Sequence, residues 1–349
     1  MDERLNWLFF GAGAIGAYIG GSLALAAKTS SSPSRVVFIE RPEVAVELKS
    51  RGLRLSMDNT EFILDKVEVV GSITEALDLG SYDAAVFALK SYDTQPALHA
   101  IAPLSQRLPP FLCLQNGVDN EPALAAVLGN ERVIAGTVTS SVARRAAGDI
   151  ILERLRGMGV AQSHPISSRL VSALSAAGLN AQLFTNPADM KWSKMLTNLL
   201  ANATSAILDM TPAEIFAHPD LYRLEIRMLR EALAVMSAQG IQVVDLPGTP
   251  VRLLAFAIQH LPLSLSRPLL QRAVGKGRGA KMPSFHIDLH SGRGQSEVDF
   301  LNGAVVRAGQ SAGVPTPTNQ VLTEILLGLT TKRLSIDDYS RKPAKLLIL

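Results

Sequence analysis

Three polar side chains recur every four residues in an otherwise apolar stretch of the chain: Lys194, Asn198 and Asn202. This spacing predicts that all three lie on one face of a helix. Burying two amides in such a helix costs free energy unless they find partners. Two interpretations stay open, namely amides satisfied by neighbouring backbone or a polar strip that faces a ligand. In the second case Lys194 is a candidate general acid, since a lysine kept protonated by a carboxylate can donate a proton.

A candidate for that carboxylate is Glu297, in the sequence Gln-Ser-Glu-Val-Asp over residues 295–299. Ser296 is predicted to cap a helix, with Glu297 and Asp299 in its first turn. The helix dipole alone would also explain acids at these positions, so the pattern does not separate a structural from a functional role. Ser284, in Met-Pro-Ser-Phe over residues 282–285, offers a hydroxyl that has no special context of its own.

Polar residues in the first half of the chain follow predicted buried strands, as ligand-binding residues do at the carboxyl edge of an open α/β sheet. These residues are Glu40 with Arg41, Lys90 and Asn116. An acid after the second strand binds the ribose hydroxyls of NAD, whereas a nearby arginine can pair with the 2′-phosphate of NADP. Glu40 and Arg41 therefore leave the cofactor open between NAD and NADP. Lys90 could equally be a solvated strand-end lysine, and Asn116-Gly117 a simple turn.

A glycine-rich turn follows the first apolar run, residues 5–10: Gly11-Ala12-Gly13-Ala14-Ile15-Gly16. A helical pattern then continues to Ala27. Strand, G-x-G-x-x-G and helix in this order form the dinucleotide-binding fingerprint. Its glycines permit the tight turn, the close approach of a pyrophosphate and the packing of helix on strand. The helix N-terminus presents free N–H groups to the phosphates.

The same segment could be taken for a signal peptide or membrane anchor, because residues 5–27 carry no charge and lie between Arg4 and Lys28. Five glycines within it are poor helix formers and argue against that interpretation. We expect a buried strand and helix instead. The prediction is a cytoplasmic protein with no membrane contact.

The surrounding pattern predicts the elements that position these residues. Short apolar runs alternate with helical stretches in the first half, which predicts a mostly parallel, doubly wound sheet of the Rossmann type. From Asn186 onward the chain reads as helices with clear start signals, such as Asn186-Pro187. We expect an α/β fold, with a dinucleotide-binding domain over residues 1–185 and an all-α substrate and catalytic domain over residues 186–349. Residues 30–34 lengthen the first crossover, and residues 275–283 are predicted to be a flexible basic loop.

Composition narrows the class of protein further. The 349 residues are 47% hydrophobic and 19% charged, enough apolar material for two buried cores. The 34 basic and 31 acidic residues give a net charge of +3, and without a basic cluster this does not predict a nucleic-acid partner. The single cysteine, Cys113, excludes an intrachain disulfide and reads as a core thiol. The six histidines show no HExxH or other metal-binding spacing, so no metal is expected.

Taken in order, these motifs resemble the ketopantoate reductase (2-dehydropantoate 2-reductase) family. The resemblance runs from Gly11 to about residue 329. The motifs that carry it are GAGAIG, LK ending at Lys90, QNG at residues 115–117, GTVTSSVARRAAGDI at 136–150, KWSKMLTNLLAN at 191–202, SEVDFLNGAVV at 296–306 and GVPTPTN at 313–319. The sequence departs from the family around Ser284, where His286 stands in a segment that often reads P-S-M-L-Q-D.

The resemblance implies reduction of ketopantoate to D-pantoate by NADPH, on the route to pantothenate and coenzyme A. Hydride would come from a nicotinamide held by the first domain, and the proton from the second. By motif, the cofactor-binding residues would be Gly11, Ala12, Gly13, Ala14, Ile15, Gly16, Lys90, Asn116, Val142 and Glu297, and the residue pattern after the second strand adds Arg41. The substrate-binding residues would be Asn116, Lys194, Asn198, Asn202 and Ser284, with Lys194 and Glu297 catalytic.

Two other functions fit the same sequence. One is a related reductase of another small 2-keto acid, and the other is a non-catalytic protein that senses NAD(P)H. A sensor would have no need for Lys194, the two asparagines and Glu297 together. Pairing of helices in the second domain would give a homodimer, although no motif specifies the oligomeric state.

Overall fold

The structure, a computed structural model, describes residues 4–28, 34–278 and 281–347, with the side chains of residues 273–278 left out. The chain forms two compact units. The first contains the chain up to Gln115, Asp119–Lys191 and the short segment Leu246–Thr249. The second contains Asn116–Val118, Trp192–Asp245 and the chain from Pro250 onward. The predicted division at residues 185 and 186 lies slightly before this change of unit between Lys191 and Trp192, and it stays a prediction.

The first unit is built on a sheet that, in the described part of the chain, has eight strands in the order β12-β11-β8-β7-β6-β1-β2-β5. All neighbours run parallel except the antiparallel pair β8 and β11. The strands are β1 (Asn6–Phe10), β2 (Arg35–Ile39), β5 (Glu68–Val70), β6 (Ala84–Phe87), β7 (Phe111–Cys113), β8 (Val133–Val138), β11 (Met158–Ala161) and β12 (Ala181–Phe184). This is the predicted Rossmann-type sheet.

Both faces of this sheet are covered, which explains why β1 contains no charged residue. Trp7 and Phe9 of β1 pack into the hydrophobic cluster on one face, and Leu8 and Phe10 into the cluster on the other. Because side chains alternate along a strand, a strand buried on both faces must be apolar throughout. Among the described residues, no helix has both the length and the apolar character needed to cross a membrane.

A second, smaller sheet in the first unit was not predicted. Its described strands lie in the order β4-β3-β10-β9 and are β3 (Leu53–Met57), β4 (Thr60–Leu64), β9 (Ser141–Ala146) and β10 (Asp149–Arg154). Residues 149–154 pair with β3 and β9 and with no strand of the main sheet among the described residues. The pairing of β10 with β3 joins segments about a hundred residues apart, which local sequence patterns do not encode.

The helices of the first unit lie mainly in the crossovers between strands. They are α1 (Ala14–Ala27), α2 (Pro42–Arg51), α3 (Ile73–Asp78), α4 (Thr94–Ile101), α5 (Asn120–Leu128) and α6 (Ser167–Ala176). The predicted extension at residues 30–34 falls outside the described residues apart from Ser34.

The described residues of the second unit form helices, in agreement with the predicted all-α domain. The elements from residue 187 onward are α7 (Pro187–Leu199), α8 (Asn202–Leu208), α9 (Pro212–Ala217), α10 (Pro219–Ala238), α11 (Val251–His260), α12 (Leu263–Arg278), α13 (Ser284–His290), α14 (Val298–Ala312), α15 (Pro317–Thr330), α16 (Ile336–Tyr339) and α17 (Pro343–Leu347). The prediction of a loop over residues 275–283 is wrong as far as Arg278, where α12 ends; residues 279 and 280 lie outside the described residues.

Two local predictions about the second unit need correction. Lys194, Asn198 and Asn202 do not share one helix, because α7 ends at Leu199 and Asn202 begins α8 after Ala201 takes a left-handed backbone conformation (φ +50°). Glu297 lies at the N-cap position of α14 rather than in its first turn. Ser296 still supports that helix start, since its hydroxyl accepts from the Val298 amide at 3.2 Å.

Candidate active site

The glycine-rich turn between β1 and α1 has the geometry that a dinucleotide requires. Gly11 has φ +93°, and a Cβ at Gly16 would overlap with the carbonyl oxygen of Gly11. A side chain at Gly16 would therefore force the helix off the turn. At Gly13, which is the N-cap of α1, a Cβ would meet no described atom within 4 Å. The turn is thus closed on the strand side and open beside the helix N-terminus, where phosphates bind.

Glu40 is tied to this turn. Its Oε1 accepts the amide of Ala12 at 2.6 Å, and its Oε2 accepts the amide of Arg41 at 3.3 Å. Arg41 lies at the N-cap of α2 with a side chain 77% exposed, and its Nε lies 3.6 Å from the exposed carboxylate of Glu43. The acid is thus engaged with backbone, while the guanidinium faces solvent.

Lys90 follows β6 in a loop that Gln115 holds in place. The Gln115 amide donates to the Leu89 carbonyl at 3.0 Å and to the Thr94 hydroxyl at 2.9 Å. Asn120 extends this buried network by accepting from Thr94 at 3.0 Å. Strands β7, β6, β1 and β2 are parallel neighbours, so Gln115, Lys90, the glycine turn and Glu40 all follow carboxyl ends at one edge of the sheet.

Two further residues of the first unit were considered in the sequence analysis, namely Val142 and Cys113. Val142 lies in β9 opposite Leu152 of β10 and packs partly against the core cluster that includes Tyr18 of α1. Cys113 is fully buried in β7, and burial raises the pKa of its thiol well above the usual value. A neutral thiol in the core is a poor nucleophile, in agreement with the prediction of a structural cysteine.

In the second unit, a run of hydrogen bonds joins four of the expected substrate residues. Asn198 Nδ2 donates to Asn116 Oδ1 at 3.0 Å, and Asn202 Nδ2 donates to the Asn198 carbonyl at 3.0 Å. Asn202 Nδ2 also lies 3.3 Å from Ser284 Oγ, while its Oδ1 accepts the Phe285 amide at 3.1 Å. The amides are therefore satisfied partly by backbone and partly by one another, whereas a polar strip that faces a ligand stays a prediction.

Lys194 and Glu297 lie on helices next to residues of this run. Lys194 lies one turn before Asn198 on α7 and is partly exposed, whereas Glu297 is only 2% exposed. The start of α14 lies beside the Asn116 loop, because a Cβ on Gly117 would come within 2.6 Å of the Phe300 carbonyl oxygen. Asn116, Asn198, Asn202 and Ser284 are brought together, with Lys194 on the same helix as Asn198.

Two buried charges that support these residues were missed by sequence reasoning. Lys191 is 6% exposed, and its ammonium group contacts the Glu121 carboxylate at 2.6 Å and the Gln115 carbonyl at 2.7 Å. Glu225 of α10 is fully buried and accepts from the Ala201 amide at 2.8 Å and the Thr204 hydroxyl at 2.6 Å, which stabilises the break before Asn202. The only signal for Lys191 was its place in the K-W-x-K motif, and Glu225 gave none.

A Rossmann-type unit with a dinucleotide turn, followed by a helical unit that carries a lysine and a run of amides, is the architecture of an NAD(P)H-dependent oxidoreductase. The family model for ketopantoate reductase PanE/ApbA matches residues 7–163, and the model for its C-terminal part matches residues 186–330. The chain belongs to the ketopantoate reductase family.

Individual relatives agree with this assignment. The 2-dehydropantoate 2-reductase of Mesorhizobium japonicum is 28% identical over 351 residues, covering 93% of this chain and 97% of the relative. The crystal structure of a PanE/ApbA family ketopantoate reductase from Ralstonia eutropha JMP134 is 26% identical with a TM-score of 0.77, covering 94% of this chain and 99% of that one. A D-mandelate dehydrogenase in complex with NADH and anilino(oxo)acetate has the same fold, with a TM-score of 0.76, 21% identity and the same coverage.

Proposed function

We propose that this protein uses NADPH to reduce the keto group of a 2-keto acid, and that the acid is 2-dehydropantoate, which becomes D-pantoate for pantothenate and coenzyme A synthesis. The observation that carries the proposal is the hydrogen-bonded run from Asn116 through Asn198 and Asn202 to Ser284, on the helix system that also carries Lys194. A pair of helices with a purely structural role would not need a lysine and four polar side chains that lie next to one another in space.

Each polar group has a task in this reaction. The Ser284 hydroxyl, which accepts from Asn202, is a donor suited to a substrate carboxylate, and Asn116 and Asn198 suit the oxygens of the keto acid. Lys194 is the proposed general acid, which gives a proton to the oxygen of the keto group as negative charge develops there. Glu297, as a buried carboxylate, favours the protonated form of a nearby lysine.

The first unit would hold the cofactor through the turn from Gly11 to Gly16, with Lys90, Val142 and Arg41. When bound, the reduced nicotinamide supplies hydride to the carbonyl carbon. Two observations support NADPH over NADH. Glu40 is engaged with the amides of Ala12 and Arg41, and the exposed Arg41 guanidinium pairs with the exposed Glu43 carboxylate at 3.6 Å. Such a guanidinium can turn to a 2′-phosphate at little cost.

The direct test is a panel of small 2-keto acids assayed with NADPH and NADH by the loss of reduced-cofactor absorbance. We expect turnover with 2-dehydropantoate and NADPH. Lys194→Met should lower kcat by about 10²- to 10⁴-fold, the contribution of a general acid, and leave NADPH binding unchanged. The matched control is Lys49→Met, at an exposed position of α2, which should behave as wild type.

Two results would replace this proposal with another. A higher kcat/KM for the keto acid of mandelate than for 2-dehydropantoate would identify a related reductase, an alternative favoured by the structural likeness to D-mandelate dehydrogenase. NADPH binding with no turnover on any 2-keto acid would identify a nucleotide sensor. An Arg41→Ala variant with unchanged KM for NADPH would overturn the role of Arg41. The cytoplasmic location and the homodimer stay predictions from the sequence.

A further inference from the structure

Three potential metal ligands converge in the second unit, outside the residues assigned to the reaction. They are Asp209, which ends α8, and His286 and His290, one turn apart on α13. One ligand atom from each residue lies within 4.8 Å of the other two. His286 Nε2 lies 2.8 Å from Asp209 Oδ1, and the two imidazole rings have centroids 4.2 Å apart.

A hydrogen bond between an imidazole and a carboxylate accounts for two of these groups but not for the third. Two histidines four residues apart on a helix, with a carboxylate from another element, form a set that binds zinc and leaves a fourth position open for water. Bonds of about 2.1 Å in a tetrahedron place ligand atoms roughly 3.4 Å apart. The ligand atoms of the three residues are already close to this spacing, since all lie within 4.8 Å of one another and His286 Nε2 lies 2.8 Å from Asp209 Oδ1.

The backbone around the three residues is well suited to hold them. Asp209 has a left-handed conformation (φ +49°), and the Leu208 carbonyl before it accepts the Arg341 amide at 2.7 Å. Asn202 at the start of α8 bonds to Ser284 and to the Phe285 amide at the start of α13. The two short helices are thus joined at their N-terminal ends by hydrogen bonds, and Asp209 joins the C-terminal end of α8 to α13.

We propose that Asp209, His286 and His290 bind a divalent transition-metal cation, Zn²⁺ being the best fit, which ties α8 to α13. Nitrogen ligands favour such cations over Mg²⁺ and Ca²⁺, which prefer sets of oxygen ligands. The proposal does not rest on the reductase function, because the cation would be held by residues assigned no part in the reaction.

The test uses the full-length protein, freed of any affinity tag and of metal by chelation. Titration with Zn²⁺ in a calorimeter should show one site per chain, and Co²⁺ should develop the intense visible absorption of a tetrahedral centre. Mg²⁺ should give neither signal. The melting temperature should rise on addition of Zn²⁺, since a ligand that binds only the folded state stabilises it.

Variants decide whether these residues are the ligands. His290→Ala, at an exposed position, and Asp209→Asn, which keeps a residue tolerant of left-handed backbone, should each weaken Zn²⁺ binding by at least about 10- to 100-fold. Circular dichroism checks that both remain folded. The control His99→Ala, at an exposed position of α4, should bind as wild type. No Zn²⁺ binding by the wild type, or equal binding by all variants, would overturn the proposal. None of these readouts uses turnover, so neither result bears on the reductase function.

Discussion

The ammonium group of Lys191 is buried in the first unit and contacts three groups there. It pairs with Glu121 and donates to the Gln115 carbonyl at 2.7 Å and to the Gly136 carbonyl at 3.3 Å. Gln115 directly precedes Asn116 and also holds the Lys90 loop through its side chain. We infer that Lys191 is a positioning residue, whereas Lys194, one turn later on α7, is the proposed proton donor.

Lys191→Met should lower the free energy of unfolding by about 3 kcal/mol, because it leaves the Glu121 carboxylate buried without its partner. The double variant Lys191→Met/Glu121→Gln should recover part of that loss. Urea unfolding measures both, with Arg223→Met as the control, since Arg223 and Asp220 form an exposed pair expected to contribute less than about 1 kcal/mol. A loss for Lys191→Met as small as that of the control would show that the buried pair is not a stabilising contact.

Cys113 allows a second test at the scale of a single side chain. Burial raises the pKa of its thiol, so the reactive thiolate is scarce in the folded protein at neutral pH. The thiol should be modified by a disulfide reagent only after the protein unfolds in urea, and the reaction rate should follow the unfolding transition. Stoichiometric reaction of the native protein within minutes would contradict the structure at β7.

In the turn between β1 and α1, we expect one glycine, Gly16, to be needed for folding and another, Gly13, to be needed for nucleotide binding. Gly16→Ala should lower the free energy of unfolding by about 1–3 kcal/mol or more, because the new methyl group overlaps with the Gly11 backbone. Gly13→Ala should change it by less than about 1 kcal/mol, because Gly13 has φ −67° and open space beside it.

Gly13→Ala should instead have its main effect on nucleotide binding. In the proposed function the open space beside Gly13 is where the pyrophosphate passes, so Gly13→Ala should weaken NADPH binding by at least about tenfold while the protein stays folded. Urea unfolding and a fluorescence titration with NADPH give the two readouts. Unchanged NADPH binding by Gly13→Ala would argue against phosphate binding at this turn.

The break between α7 and α8 could not be predicted from local sequence patterns. The spacing of Lys194, Asn198 and Asn202 fits a continuous helix, and no glycine or proline marks an end after Leu199. The helix nevertheless ends there, because the buried Glu225 carboxylate accepts the Ala201 amide and the Thr204 hydroxyl. A partner contributed by another helix decides this element boundary, whereas the start of α7 was predictable because its cap, Asn186, is local.

Across the whole molecule, the chain passes between its two units several times. Residues 246–249 return to the first unit after the chain has entered the second. Thr139, which is 3% exposed, anchors this return, since its hydroxyl lies 2.8 Å from the Pro247 carbonyl and 2.9 Å from the Gly157 carbonyl. Two short segments, residues 116–118 and 246–249, belong to the other unit from the residues around them. They were not predicted, because a single boundary between two domains was expected.

Thr139→Val should therefore lower the free energy of unfolding by about 1–3 kcal/mol, because it keeps the shape of the side chain but leaves a buried carbonyl with one hydrogen bond fewer. The control is Thr331→Val, at an exposed position of the chain, where the change should stay within about 0.5 kcal/mol. Chemical denaturation of both variants measures the difference. Equal stability of the two would mean that the segment is held by packing alone.

The class of fold, the dinucleotide turn and most of the candidate site residues could be predicted from the sequence. These depend on local properties, namely the apolar runs of buried strands, the glycines of a tight turn and the side chains that cap helices. Folding of the chain created the second sheet, the break before Asn202 and the contacts of the buried Lys191 and Glu225. It also brought Asp209 to the two histidines of α13. In each of these cases the free energy comes from contacts between residues far apart in the chain, and only the folded chain brings such residues together.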